Sequence, residues 1–222
     1  MELAYSIHLG SDKNKKNSVR ESAKTNKSGT TSMSNNAIQN AQQLSRVDKH
    51  NYRKYDNEQD DIVIVRGTSS LYNDVKELYL KEFEEARIKY NETQRETRKI
   101  NDYFSHISNN DKNDLACELI IELGNKKYWD TKDIEFKKRM TSVYSKQLED
   151  LELLVPNFKV ASAIIHYDET SPHMHIVGVP IKYKNKNGME KQVGKSDVFT
   201  KESLKTLQRK MRILCIEYFN KE

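Results

Sequence analysis

The stretch His166-Tyr167-Asp168-Glu169-Thr170-Ser171-Pro172-His173-Met174-His175 decides how this chain is read. Apolar and β-branched residues flank it, and residues 158–167 and 173–183 read as two strands. The connection between them is short enough to make them antiparallel neighbours. Side chains alternate faces along a strand, so His173 and His175 share one face and Met174 takes the other. His166 closes the first strand and can reach the same face once the two strands pair. Three of the six histidines therefore meet on one rigid hairpin. Three imidazoles with open coordination positions make a divalent metal site, better suited to Mn²⁺, Zn²⁺, Co²⁺ or Ni²⁺ than to Mg²⁺.

Working outward, residues 3–9 and 117–123 alternate or run apolar as strands do, and residues 61–67 read as a short buried strand ended by glycine. Residues 37–48 could form a short helix that delivers the chain to His50. Helical spacing runs from residue 72 to 104 with a break near Asn91, again over 133–152, and finally over 201–219, where Thr200 is a natural cap. Strands interleaved with helices in this order predict an α+β fold: an antiparallel sheet of about five strands with helices packed on it.

The 222 residues fit one domain. Mean hydropathy is −0.90, and no apolar run approaches the ~18 residues of a membrane span. The start of the chain has no signal-peptide pattern. Cys117 and Cys215 are too few for a disulfide framework. A soluble, cytoplasmic protein is the expectation. The net charge of +5 is unevenly spread. Residues 11–36 carry six basic residues against Asp12 and Glu21, and with almost no apolar residues they read as a flexible insertion. Residues 182–212 carry ten basic residues against three acidic ones, and two such segments suit a polyanion. Residues 184–195 read as an arm for DNA rather than a packed element.

The histidine stretch, followed by Ile176-Val177-Gly178-Val179-Pro180, resembles the third motif of the MobV (Mob/Pre) relaxases, members of the HUH endonucleases. The resemblance implies an HUH palm of five antiparallel strands. It also implies one divalent metal on His166, His173 and His175, with Mn²⁺ first and Mg²⁺, Co²⁺, Ni²⁺ or Zn²⁺ as alternatives. The implied activity is a site-specific nick in single-stranded or hairpin DNA at an origin of transfer, kept as a covalent 5′-phosphoryl-enzyme link so that the strand can be rejoined. A type IV secretion coupling protein is the implied protein partner. Family members are normally longer, so the whole chain, 1–222, corresponds to their catalytic domain.

Some members of that family use a histidine nucleophile in a His-Asn-x-Arg motif, which His50-Asn51-Tyr52-Arg53 is similar to; the 11–36 insertion places it further along the chain than is usual. The implied roles are attack by His50, proton acceptance by Glu169, orientation of a metal histidine by Asp168, a phosphate clamp at Arg53 and DNA contact at Asn51. Tyr52 and Tyr55 stand beside His50 as substitutes. Arg95, Arg98 and Lys99 resemble a basic family segment that could bind flanking phosphates, and Lys195 falls in a segment similar to the one after the metal motif. Tyr103, Phe104 and Trp129 could stack unpaired bases. Two alternatives stay open. Tyr218-Phe219-Asn220-Lys221 has the Tyr-x-x-Lys form of rolling-circle replication initiators and HUH transposases, with Tyr218 as nucleophile. A non-cleaving DNA-binding protein that keeps its metal is the other.

Overall fold

Strand β6 (His173–Lys182) is the axis of the molecule, flanked by β5 (Phe158–His166) and β4 (Ala116–Leu123). The computed structural model describes residues 4–9, 37–55, 61–110 and 112–221, and the insertion expected at about 11–36 lies outside them. The sheet is completed by β1 (Tyr5–Leu9) and β3 (Ile62–Arg66) in the order β1-β4-β6-β5-β3, every pairing antiparallel. Two short strands, β2 (Ala37–Ile38) on β4 and β7 (Gln192–Val193) on β6, extend it. The expected α+β class is the observed one.

Alternation along the strands sorts the side chains into two cores. On one face Met174, Ile176, Ile165 and Ile121 pack with α6 (Thr141–Leu154) and α8 (Lys201–Phe219) through Tyr144, Leu148, Met211 and Cys215. On the other, Ile164, Val177 and Val179 meet α1 (Ala41–Asn51), α2 (Leu71–Glu92) and α3 (Tyr103–Ser108) through Leu44, Val75, Phe83 and Phe104. Each fully buried side chain of this size contributes about 1.5–3 kcal/mol relative to exposure. The histidines of β6 share the second face.

Several elements depart from expectation for local reasons. The helix expected from residue 37 starts at Ala41, because Asn40 caps it by accepting from the Gln43 amide and because β2 claims the residues before it. It continues to Asn51, which puts His50 in the last helical turn. Arg53 then adopts a left-handed φ of 49°, and the Arg53 and Lys54 amides return to the carbonyls of His50 and Lys49. The single helix expected over 133–152 divides at Met140 into α5 (Ile134–Arg139) and α6, where the Thr141 hydroxyl donates to the Lys138 carbonyl. Strand β3 is an edge rather than a buried strand, and its Ile64 is 44 % exposed.

The segment read as a DNA arm is packed. Met189 and Val193 are buried, β7 pairs with β6, the Tyr103 hydroxyl accepts from the Val193 amide, and Lys191 is paired with Glu82. Tyr103, Phe104 and Trp129 are core residues, not base platforms. The Trp129 ring, in α4 (Lys126–Trp129), fills the space over Gly124, whose positive φ of 72° requires glycine.

One buried bond links the far core to the hairpin connection: the Tyr144 hydroxyl donates to the Pro172 carbonyl at 2.6 Å. Tyr144→Phe leaves that carbonyl unpaired and costs about 1–3 kcal/mol, read as a lower urea midpoint at unchanged slope. An unchanged midpoint would show that the bond does not hold the connection.

Candidate metal centre and nucleophile

The hairpin register places His166 directly opposite His173, with Ile164 opposite His175. Ring centroids lie 5.2 Å apart for His166 and His173, 4.4 Å for His166 and His175, and 4.9 Å for His173 and His175. The three imidazoles expected to converge do so. A fourth joins them: His50, from the end of α1, lies 5.7 Å from His166 and 5.4 Å from His175.

Each hairpin histidine has its proton held by a different acceptor. His166 donates from Nε2 to the Asn51 carbonyl at 2.8 Å, His173 from Nδ1 to the Ser171 carbonyl at 2.9 Å, and His175 from Nδ1 to Glu118 Oε1 at 2.8 Å. In each ring the other nitrogen is therefore the bare one. His166 Nδ1 and His175 Nε2 are buried with no hydrogen-bond partner. Buried nitrogens without partners are costly unless something occupies their lone pairs, and a divalent cation fits that requirement. Donor atoms within 4.8 Å of one another form two sets sharing His166: His166, Glu169 and His173, and His50, His166 and His175.

Two carboxylates sit around the cluster. Glu118 was not foreseen. It is buried in β4, and its Oε1 accepts from both His175 and the Asn51 side-chain amide at 2.9 Å. Burial pushes its carboxyl up, but His175 and the Asn51 amide outweigh that and hold it below the ordinary carboxylate value. The signal was present: alternation in Cys117-Glu118-Leu119-Ile120-Ile121 puts Glu118 on the face opposite Cys117, Leu119 and Ile121, a charge in a run otherwise apolar. Glu169 follows β5 and is held far below its usual value, with His166 the largest cause and Arg53 next among the groups that lower it.

Arg53 binds Asp168 through two nitrogens at 2.8 and 3.0 Å and Glu169 through Nη2 at 2.6 Å. It thus ties the end of α1 to the hairpin connection, and Asp168 faces Arg53 instead of a metal histidine. Asn51, expected on DNA, is 1 % exposed and faces the histidine scaffold. Tyr52 is buried against Ser162, and burial raises its phenol to about 12. Arg95, Arg98 and Lys99 are exposed beyond the end of α2, whose C-terminal half is paired with the turn before β7 through Lys89–Glu190 and Lys191–Glu82. Lys195 pairs with Asp114 at 3.1 Å beside Lys182, roughly 20 Å along β6 from His175. Tyr218 is on the opposite face of the sheet, where its hydroxyl donates to Asp150 at 3.2 Å.

The model of a protein family described as plasmid recombination enzyme, Mob_Pre, matches residues 31–215. The chain belongs to the Mob_Pre family. All four clustered histidines, Glu118 and Glu169 fall inside the matched span, and Tyr218 falls outside it. No curated protein matches the chain. Among solved structures, the MobM relaxase domain (MOBV; Mob_Pre) bound to 22 nucleotides of plasmid pMV158 oriT DNA, Mn-bound at pH 5.5, is similar at a TM-score of 0.54 and 16 % identity. That likeness covers 98 % of this chain and 87 % of that one. A second Mn-bound form of the same complex, at pH 4.6, gives 0.52 at the same identity and coverage. At this identity the likeness establishes the fold, and this Mob_Pre chain has the same antiparallel palm. No helix among the described residues is long and apolar enough to cross a membrane.

Glu118→Gln lowers Mn²⁺ affinity about 10- to 100-fold by calorimetry, because the carboxylate no longer fixes the His175 tautomer; unchanged affinity would remove Glu118 from the site. Burial also lowers the pKa of His50 and His173 and takes that of His175 to about 4. These depressed values mean that the unfolded chain takes up protons before the folded one. The metal-free protein therefore loses stability as pH falls from about 6.5 towards 4, and His175→Gln flattens that slope in thermal melts.

Proposed function

We propose that this chain is a metal-dependent DNA relaxase that nicks one strand at an origin of transfer and later rejoins it, with His50 as the nucleophile. The observation that carries the reading is His50 itself: a half-buried imidazole placed against a cluster of histidines whose bare nitrogens are already oriented. Family membership supports plasmid DNA processing, and the oriT DNA and Mn bound in the MobM structures support that substrate and Mn²⁺.

A divalent cation on His166, His173 and His175 would polarise a non-bridging oxygen of the scissile phosphate and offset the charge that builds there. The protein does the rest. Burial keeps His50 neutral, and the nearby positive charge of Arg53 reinforces this, so its lone pair is available at neutral pH. One His50 nitrogen attacks phosphorus as the bond to the 3′-oxygen breaks. The 5′-phosphoryl group stays on the ring, and the departing 3′-oxygen takes a proton from solvent to become a hydroxyl. The remaining ring proton passes to a carboxylate, for which Glu169 is our choice. The reverse reaction reseals the strand, because the bond energy stays in the phosphorus–nitrogen link.

Asp168 and Glu169 keep Arg53 beside His50, so in this reading Arg53 positions the attacking helix first and meets phosphate second. Arg95, Arg98, Lys99 and Lys195 would contact flanking DNA away from the chemistry. Such an enzyme acts on plasmid DNA in the bacterial cytoplasm and hands its covalent complex to a type IV secretion coupling protein.

The test is a suicide assay with a single-stranded oligonucleotide spanning the origin, Mn²⁺, and a denaturing gel. Wild type and Tyr218→Phe form an acid-labile, alkali-stable adduct, and His50→Ala forms none. Loss of the adduct in Tyr218→Phe alone would make the enzyme a replication-initiator type. No adduct from wild type on a validated origin would leave a DNA-binding protein that does not cleave.

A further inference from the structure

The two donor sets around His166 differ in chemical character. One contains a carboxylate and lies towards solvent, with the Glu169 side chain 45 % exposed. The other is three imidazoles, with His166 and His175 buried and His50 half-buried. The second set draws one imidazole from outside the hairpin, and three imidazoles around a tetrahedral ion with one open position suit Zn²⁺.

We infer that the DNA-free enzyme binds Zn²⁺ on His50, His166 and His175, and that this ion silences it by occupying the nucleophile. The inference rests on the reading of His50 as the attacking group. Three observations carry it. His166 Nδ1 and His175 Nε2 are bare, buried nitrogens. His175 is backed by the Glu118 carboxylate, the arrangement that strengthens a histidine as a zinc ligand and sets a negative charge behind the cation. Finally, the three donors already lie within 4.8 Å of one another. Tetrahedral zinc needs them about 3.4 Å apart, from bonds of roughly 2.0–2.1 Å, so small ring rotations suffice. His50 stands in the last turn of α1, a place from which its ring can turn inward. A lone pair given to zinc cannot attack phosphorus, so the same ring is either a ligand or a nucleophile. Mn²⁺ on His166, His173 and His175 leaves His50 uncommitted, which makes the identity of the metal a switch between a silent and a competent site.

The experiment is calorimetry on the DNA-free full chain with ZnCl₂ and MnCl₂ in separate titrations. His50→Ala weakens Zn²⁺ binding about tenfold or more and leaves Mn²⁺ binding within about twofold, while His173→Gln does the reverse. Equal Zn²⁺ affinity in wild type and His50→Ala overturns the inference. A second readout needs no variant: diethylpyrocarbonate modification of His50 in wild type, mapped by mass spectrometry, is blocked by Zn²⁺ and not by Mn²⁺. Modification that persists under saturating Zn²⁺ also overturns it. Failure of the underlying reading looks different, because Mn²⁺-loaded wild type would then form no adduct whatever the zinc titrations show.

Discussion

A neutral imidazole offers a metal only the nitrogen that does not carry its proton, and the molecule is organised around deciding which nitrogen that is. The deciding acceptors come from three places: the Asn51 carbonyl at the end of α1, the Ser171 carbonyl in the hairpin connection, and the Glu118 carboxylate on the neighbouring strand. Each is itself anchored. Asn51 is caged by burial and gives its amide to Glu118, and the residue after Ser171 has its carbonyl held by Tyr144 from the opposite core. The lone pairs are therefore aimed before any ligand arrives, which is the preorganisation such a site requires.

The same contacts fix His50. His50 and Asn51 are adjacent in α1, so the backbone that holds His166 in its tautomer also sets where His50 stands. Arg53 adds a second tie through Asp168 and Glu169 and accepts a left-handed backbone to do so. Two independent links over four residues leave the helix end little room to drift from the hairpin. An active site built from segments more than a hundred positions apart is held by contacts no longer than one side chain.

Much of this was legible from residue order alone. The hairpin, its histidine face and the Thr200 cap on the last helix rest on period and local chemistry, which a sequence displays directly. The break at Met140 was not legible, because it turns on a threonine hydroxyl bonding a carbonyl three residues back. Strand β3 read as buried since Ile62-Val63-Ile64-Val65 is apolar throughout, yet its place at the sheet edge is set by topology. Nothing in residue order tells that Asn51 faces the sheet instead of DNA. Glu118 gains meaning only through its partners Asn51 and His175, which the sheet supplies. Local pattern revealed the histidine cluster, and long-range pairing revealed what orients it.

The alternation along β6 ties the safety of this enzyme to its folding. Met174, between His173 and His175, belongs to the opposite core, so a slip of one residue against β5 or β4 would turn the histidines into the apolar layer and expose the methionine. A one-residue slip cannot keep the cluster while it spoils the core. A protein that cuts DNA is hazardous when it is half-formed and still reactive. Here a chain slipped by one residue has no histidine cluster, so a packed core and an assembled site come together.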